Sequence, residues 1–203
     1  MHNSIFTETS TLPFVLPSSS LIKQARLLAN QLGAINNSHT KGRGNVAGYM
    51  GELADIQYLV GSDHVSHEEG EAKYKRDILY NGYTIESKTK RRMFDPRPDF
   101  EASQDRLSSH QNSDIILFNS ITFGKELKPL FINGRKIKQY SHPLKIWLVG
   151  WVFREDFYKK AFKVKKGYVD PSNKNETSAD KWNIFHKDLT PVTELLNIKN
   201  EKS

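Results

Sequence analysis

The chain has no cysteine in its 203 residues. That excludes a disulfide scaffold, a thiolate zinc site and cysteine catalysis. Long apolar runs are also missing. The longest, residues 146–153, falls far short of the roughly 20 residues that a membrane-spanning helix needs. The first 16 residues have no basic start, and Pro13 and Pro17 interrupt their apolar part, so no secretory signal is read there. A soluble, cytoplasmic protein with no membrane partner is expected. Acidic residues are the minority, 23 Asp and Glu against 30 Lys and Arg, which leaves a formal charge of +7 and a pI near 9.4. A basic excess favours an anionic partner, nucleic acid before a membrane surface. Hydrophobic residues make up 37% of the chain, enough for one core with some exposed ends. Residues 114–118 and 146–153 are too apolar for a disordered chain.

What is present divides into three parts. Residues 1–44 read as an extended arm and a helix. Ser18, Ser19 and Ser20 offer an N-cap, Leu21, Ala25, Leu28 and Leu32 follow at helical spacing, and Gly33 stops the helix. A polar basic loop with Lys41 and Arg43 comes next. Residues 45–162 read as the core domain. Its first helix spans about 45–60, with Tyr49, Leu53, Ile56 and Val60 as the apolar stripe and Glu52 at its edge. Residues 64–75 are charged and irregular, with a short strand at the start. Two strands, 74–80 and 83–90, meet at Asn81-Gly82, the strongest short hairpin signal in the chain. A loop with Pro96 and Pro98, a short helix over 100–111, a strand over 114–122, a small hairpin within 124–143, a strand over 146–153 and a helix over 155–162 complete the core. Residues 163–203 read as a basic, turn-rich C-terminal extension. This order implies a mixed α/β domain with a sheet of four or five strands flanked by helices. The strands near Ile115 and Leu148 are apolar on both faces and belong in the sheet interior.

Chemistry concentrates on the Asn81-Gly82 hairpin. Residues two apart on a strand share a face, so Glu86 and Lys88 project together and the hairpin brings Asp77 beside them. Tyr83, Ile85 and Ser87 face a packing layer. Two carboxylates and an ammonium on one strand face make a poor folding element. A divalent cation resolves the conflict. Asp77 and Glu86 supply hard oxygen ligands suited to Mg²⁺, for which Mn²⁺ can substitute. Lys88 then orients a water or meets phosphate charge. Glu52, aimed from the helix across the sheet end, is the third carboxylate. Asp55, one turn along, points further from the stripe.

Glu52 on a helix, then Asp77, then Glu86-x-Lys88 on a hairpin resembles the PD-(D/E)XK nuclease superfamily, the restriction-endonuclease-like fold. The family's α-β-β-β-α-β core matches the order read over about 45–162. The resemblance implies a Mg²⁺-dependent endonuclease acting on DNA, of phage, mobile-element or restriction type. Asp77, Glu86 and Glu52 would then be metal ligands and Lys88 the catalytic lysine. It also implies a polar support or DNA contact at Gln104, and a homodimer as a possible assembly for cutting both strands. Arg76 stands before Asp77 where the family pattern has proline, and the ends of the chain match no known pattern. The alternative is a catalytically inactive nucleic-acid-binding protein that keeps the fold.

Other basic groups extend this reading. Lys90, Arg91 and Arg92 follow Lys88 as a phosphate-contacting edge, and Lys41, Arg43, Lys163, Lys165 and Lys166 would lengthen it. The blander reading of each is a solvated charge, as charge runs usually are; beside the candidate metal site, phosphate contact is the reading for Lys90, Arg91 and Arg92, and for the others taken singly the solvated charge is. His64-x-x-His67 with Glu68 and Glu69 reads as an exposed polar loop rather than a metal site. Trp147, Trp151 and Phe153 read as core residues on one strand face.

Overall fold

A computed structural model describes residues 12–32, 45–59, 63–64, 77–105, 113–132, 135–172 and 176–199. The fold is mixed α/β. Four α-helices stand among the described residues, α1 (Ser19–Leu32), α2 (Asn45–Tyr58), α3 (Arg154–Lys160) and α4 (Val192–Leu195). The central sheet has six strands: β1 (Phe14–Val15), β2 (Asp63–His64), β3 (Ile78–Tyr80), β4 (Tyr83–Arg92), β6 (Ile115–Phe123) and β9 (Pro143–Phe153), in the order β1-β9-β6-β4-β3-β2. The β4–β6 pair is parallel and the other pairs are antiparallel. A second sheet, in the order β10-β11-β5, joins β5 (Glu101–Asp105) to β10 (Phe162–Val164) and β11 (Lys181–Phe185). The strands β7 (Glu126–Ile132) and β8 (Arg135–Tyr140) form a separate ribbon.

Local sequence explains much of this. Ser18 Oγ accepts the Leu21 N–H at 3.1 Å and starts α1, as its position suggested. Asn81 and Gly82 have φ of 45° and 77°, the pair of positive values that a type I′ turn requires. Asp114 ties the starts of the two parallel strands together. Its Oδ2 accepts from the Thr84 N–H at 2.8 Å and the Thr84 hydroxyl at 2.7 Å.

Two apolar cores lie on opposite faces of the central sheet. One joins α1 and α2 to Ile78, Ile85, Leu117, Ile121 and Leu148. The other joins Ile116, Phe118, Val149 and Val152 to Phe157 of α3 and to Ala102 and Ile184 of the second sheet. The stripe of α2 differs from the expected one. Tyr49 is buried as expected, together with Ala47, Met50, Gly51, Ala54, Asp55 and Leu59, while Leu53 and Ile56 are half-buried and Val60 lies outside the described residues. Small residues allow the helix to approach the sheet closely. At Gly51 an added Cβ would overlap Thr89 Oγ1.

Two further expectations are corrected. The stretch from residue 100 is not helical: Glu101–Asp105 is β5, drawn into a strand by its partner β11. Residues 106–112 lie outside the described residues. Trp147 and Trp151 do not share a face. The β6–β9 register slips between Phe118 and Asn119, opposite Val149, and this bulge puts Trp147 in one core and Trp151 in the other. The extension after residue 162 packs on the core, with Ile184, Leu189, Val192 and Leu195 all buried.

Gly150 lies at the bulge, beside the Trp151–Thr190 bridge. A Cβ there would stand 2.7 Å from the Thr190 carbonyl oxygen and 2.9 Å from Leu189 Cβ. Gly150→Val is therefore expected to lower stability by about 1–3 kcal/mol, read from urea midpoints at constant m-value. An unchanged midpoint would mean that the 189–190 segment gives way freely.

Candidate active site

The site forms where β3 stops alongside the longer β4. Asp77 N–H donates to the Ile85 carbonyl at 3.1 Å, the last rung of the ladder. Asp77 Oδ2 then accepts the Ser87 N–H at 2.8 Å, in the place a further main-chain carbonyl would take. The next residues alternate as the sequence predicts. Ser87 faces α2. Glu86 and Lys88 face the second core and form an ion pair. Glu86 is only 4% exposed. Its Oε2 has a long contact, 3.5 Å, from Gln104 Nε2 on β5.

On the α2 side Asp55 is fully buried. Its Oδ2 accepts from Ser87 Oγ and from Asn119 Nδ2, both at 2.7 Å, and Asn119 Nδ2 also donates to Ser87 Oγ at 3.1 Å. This polar triangle pins α2 to the two central parallel strands. Burial pushes the Asp55 carboxyl up to about 8, with Glu52 and Asp77 adding to the rise and its two hydrogen bonds opposing it. Burial also raises Asp77 to about 7. Glu52 adds to that, while Lys88 and the Ser87 N–H pull it down. The Tyr49 hydroxyl is raised by burial and then by Glu52 and Asp77. Glu52, Asp55 and Asp77 thus share one acidic field between α2 and the end of the ladder.

The expected site residues fare differently. Asp77, Glu86 and Lys88 come together, with Glu52 in their electrostatic neighbourhood. Among the described residues, no group of three or more His, Asp or Glu is positioned to hold one metal ion. Gln104 reaches Glu86, but from a strand. Lys90 and Arg92 are corrected most sharply, because they face inward. Lys90 Nζ binds Asp170 Oδ2 at 2.5 Å, the Glu101 carbonyl at 3.0 Å and Ser103 Oγ at 3.2 Å. Arg92 is 2% exposed, donates to the Glu101 carbonyl at 2.6 Å and to Ser172, and lies over the Phe100 ring. Both tie β4 to the second sheet and its flanking loop. Arg91 is half-buried. Lys163 lies over the Trp182 ring, Lys165 pairs with Asp180, and Lys166 is exposed. Lys41, Arg43, His67, Glu68 and Glu69 lie outside the described residues.

Between the two sheets is a cleft of about 240 Å³, lined by Lys88, Lys90, Ser103, Phe118, Lys181 and His186 among others. Burial, with Arg92 and Lys90, pushes His186 down to about 3, so it stays neutral in this positive field. Sequence reasoning missed Asn119, Lys181 and His186. Asn119 had a signal, a polar side chain that ends the apolar run 115–118 in the middle of a strand. Lys181 and His186 had none, since β11 reaches the site only through its pairing with β5. No family model, curated protein or solved structure matches this chain.

Proposed function

We propose that this chain is a Mg²⁺-dependent DNA endonuclease of the PD-(D/E)XK kind, built on a restriction-endonuclease-like core. The supporting observation is the convergence of Asp77, Glu86 and Lys88 at the open end of the β3–β4 ladder, where burial and then Glu52 raise the Asp77 carboxyl to about 7. Acids crowded in this way fit a hard divalent cation, which would return Asp77 to its charged form. Asp77 and Glu86 would hold the ion, with Glu52 contributing. Once bound, it would supply Lewis-acid polarisation of the phosphoryl group and a more acidic water. Lys88, oriented by Glu86, directs the attacking water and meets phosphate charge. The lysines of the adjoining cleft attract the strand. A cytoplasmic location and a homodimer for double-strand cutting belong to the same proposal.

The second reading is a nucleic-acid-binding protein without cleavage. The closed Glu86–Lys88 ion pair and the lack of a ready ligand set among the described residues favour it. Supercoiled plasmid separates the two. With Mg²⁺ the wild type is expected to nick or linearise it, and EDTA, Glu86→Ala and Lys88→Ala each to reduce the rate by about a hundredfold or more. If plasmid, single-stranded DNA and RNA all stay intact with Mg²⁺ and with Mn²⁺, the binding reading stands instead.

A further inference from the structure

The first turn of α3 holds a cation with no hydrogen-bond partner for its Nη atoms among the described residues. The Arg154 main-chain N–H donates to the Asp114 carbonyl at 2.9 Å, which sets the helix beside the start of β6. Both Nη atoms of Arg154 are closed off from solvent, and neither has a hydrogen-bond partner. One helical turn on, the Tyr158 hydroxyl is in the same condition. The two groups sense each other and Glu86. Burial raises the Tyr158 hydroxyl, the Arg154 charge lowers it, and Glu86 raises it further. Arg154 and Tyr158 lie one turn apart on α3, which packs in the second core, on the side of the sheet where Gln104 of β5 reaches Glu86. Glu86 does not serve as the acceptor, because its contacts go to Lys88 and Gln104. Guanidinium N–H groups closed off from water without an acceptor are unfavourable, and an anion between them would relieve this.

We propose that Arg154 and Tyr158 form a binding site for a phosphate group, adjacent to Glu86 and Lys88. Two parallel guanidinium N–H donors and a phenol O–H match the oxygens of a phosphate. The cationic cleft gives the approach. Phe118 of its wall packs on Phe157, which meets Tyr158 at 5.2 Å between ring centroids. Lys181 of its rim precedes Trp182, whose ring meets Tyr158 edge-on, also at 5.2 Å. Occupancy requires Arg154 and Tyr158 to turn toward the cleft, a change of rotamer. Assigning the phosphate to a nucleic-acid strand, beside the one being cleaved, rests on the nuclease reading; the site itself does not.

Inorganic phosphate is the probe, titrated at constant ionic strength in EDTA and followed by ³¹P line broadening and thermal unfolding. The wild type is expected to show saturable binding and a rise in Tm. Arg154→Gln should weaken binding at least tenfold, Tyr158→Phe a few-fold, and Lys159→Gln, exposed on the same helix, not at all. Should Arg154→Gln fail to fold, Arg154→Lys keeps the charge without the paired donors and is expected to fold and bind more weakly. Wild-type-like binding in the Arg154 variant that folds overturns the proposal, as does the absence of saturable binding by the wild type. Phosphate binding lost in Arg154→Gln, together with an intact plasmid, refutes the nuclease reading and leaves this site standing. Plasmid cleavage with phosphate binding indifferent to Arg154 does the reverse.

Discussion

Urea midpoints are expected to fall as pH rises from about 5 to about 8, and Asp55→Asn is expected to remove much of that fall. Folding lifts Asp55 from an ordinary value of 3.8 to about 8 and Asp77 from 3.8 to about 7. Both acids keep a proton in the folded state that the unfolded chain gives up. Their stabilising effect is complete below about pH 4, and it is lost as pH climbs through the two folded values. Within the window each group contributes up to about 1.4 kcal/mol per pH unit. At position 55 asparagine stays neutral, and its Oδ1 can accept from both Ser87 and Asn119. Near pH 8 the variant should therefore equal or exceed the wild type. A slope identical to wild type would mean that the buried Asp55 is charged throughout. Excess Mg²⁺ adds a separate check. If Asp77 is a ligand, the cation favours its carboxylate and the part of the slope due to Asp77 shrinks.

Phe157→Ala should cost about 3–5 kcal/mol, the range for removing a fully buried aromatic ring. Phe157 has no exposed surface, and its ring lies 6.0 Å from that of Phe118 and 5.2 Å from that of Tyr158. It is the main apolar residue that α3 contributes to the second core. Phe157→Leu, which keeps more of the volume, should cost clearly less. Equal losses in the two variants would point to the ring geometry rather than the cavity. Chemical denaturation at one pH suffices, provided the m-value is constant.

Features set by neighbours in the chain were legible beforehand. The Ser18 cap, the Asn81-Gly82 turn and the shared face of Glu86 and Lys88 depend on residues within a few positions of one another. Features set by distant partners were not. Residues 101–105 have no strong strand pattern, and β11 makes them a strand. Lys90 and Arg92 read as a phosphate-contacting edge because Asp170 and Ser172, which hold them, lie about 80 residues away. The alternation that joined Glu86 to Lys88 also put Lys90 and Arg92 on the covered face, so half of that answer was present. The bulge had a weak local signal in Gly150, since glycine inside an apolar strand often marks one. Asp55 was undervalued because large side chains suggested the stripe of α2, whereas Gly51 and Ala54 bring the helix against the sheet.

The pairing of β5 with β11 has a consequence for biosynthesis. Their paired residues lie about 80 positions apart. At roughly 5–20 residues per second, a ribosome needs about 4–16 seconds to make the intervening chain. Through that interval β5 carries Gln104 on an edge without its partner, and the roof over Glu86, Lys88 and Lys90 is missing. The triangle of Asp55, Ser87 and Asn119, which needs only α2, β4 and β6, can assemble first. A nascent chain would therefore hold its acidic half in place before its lysine-lined half closes, and would gain its working cleft only after β11 leaves the exit tunnel.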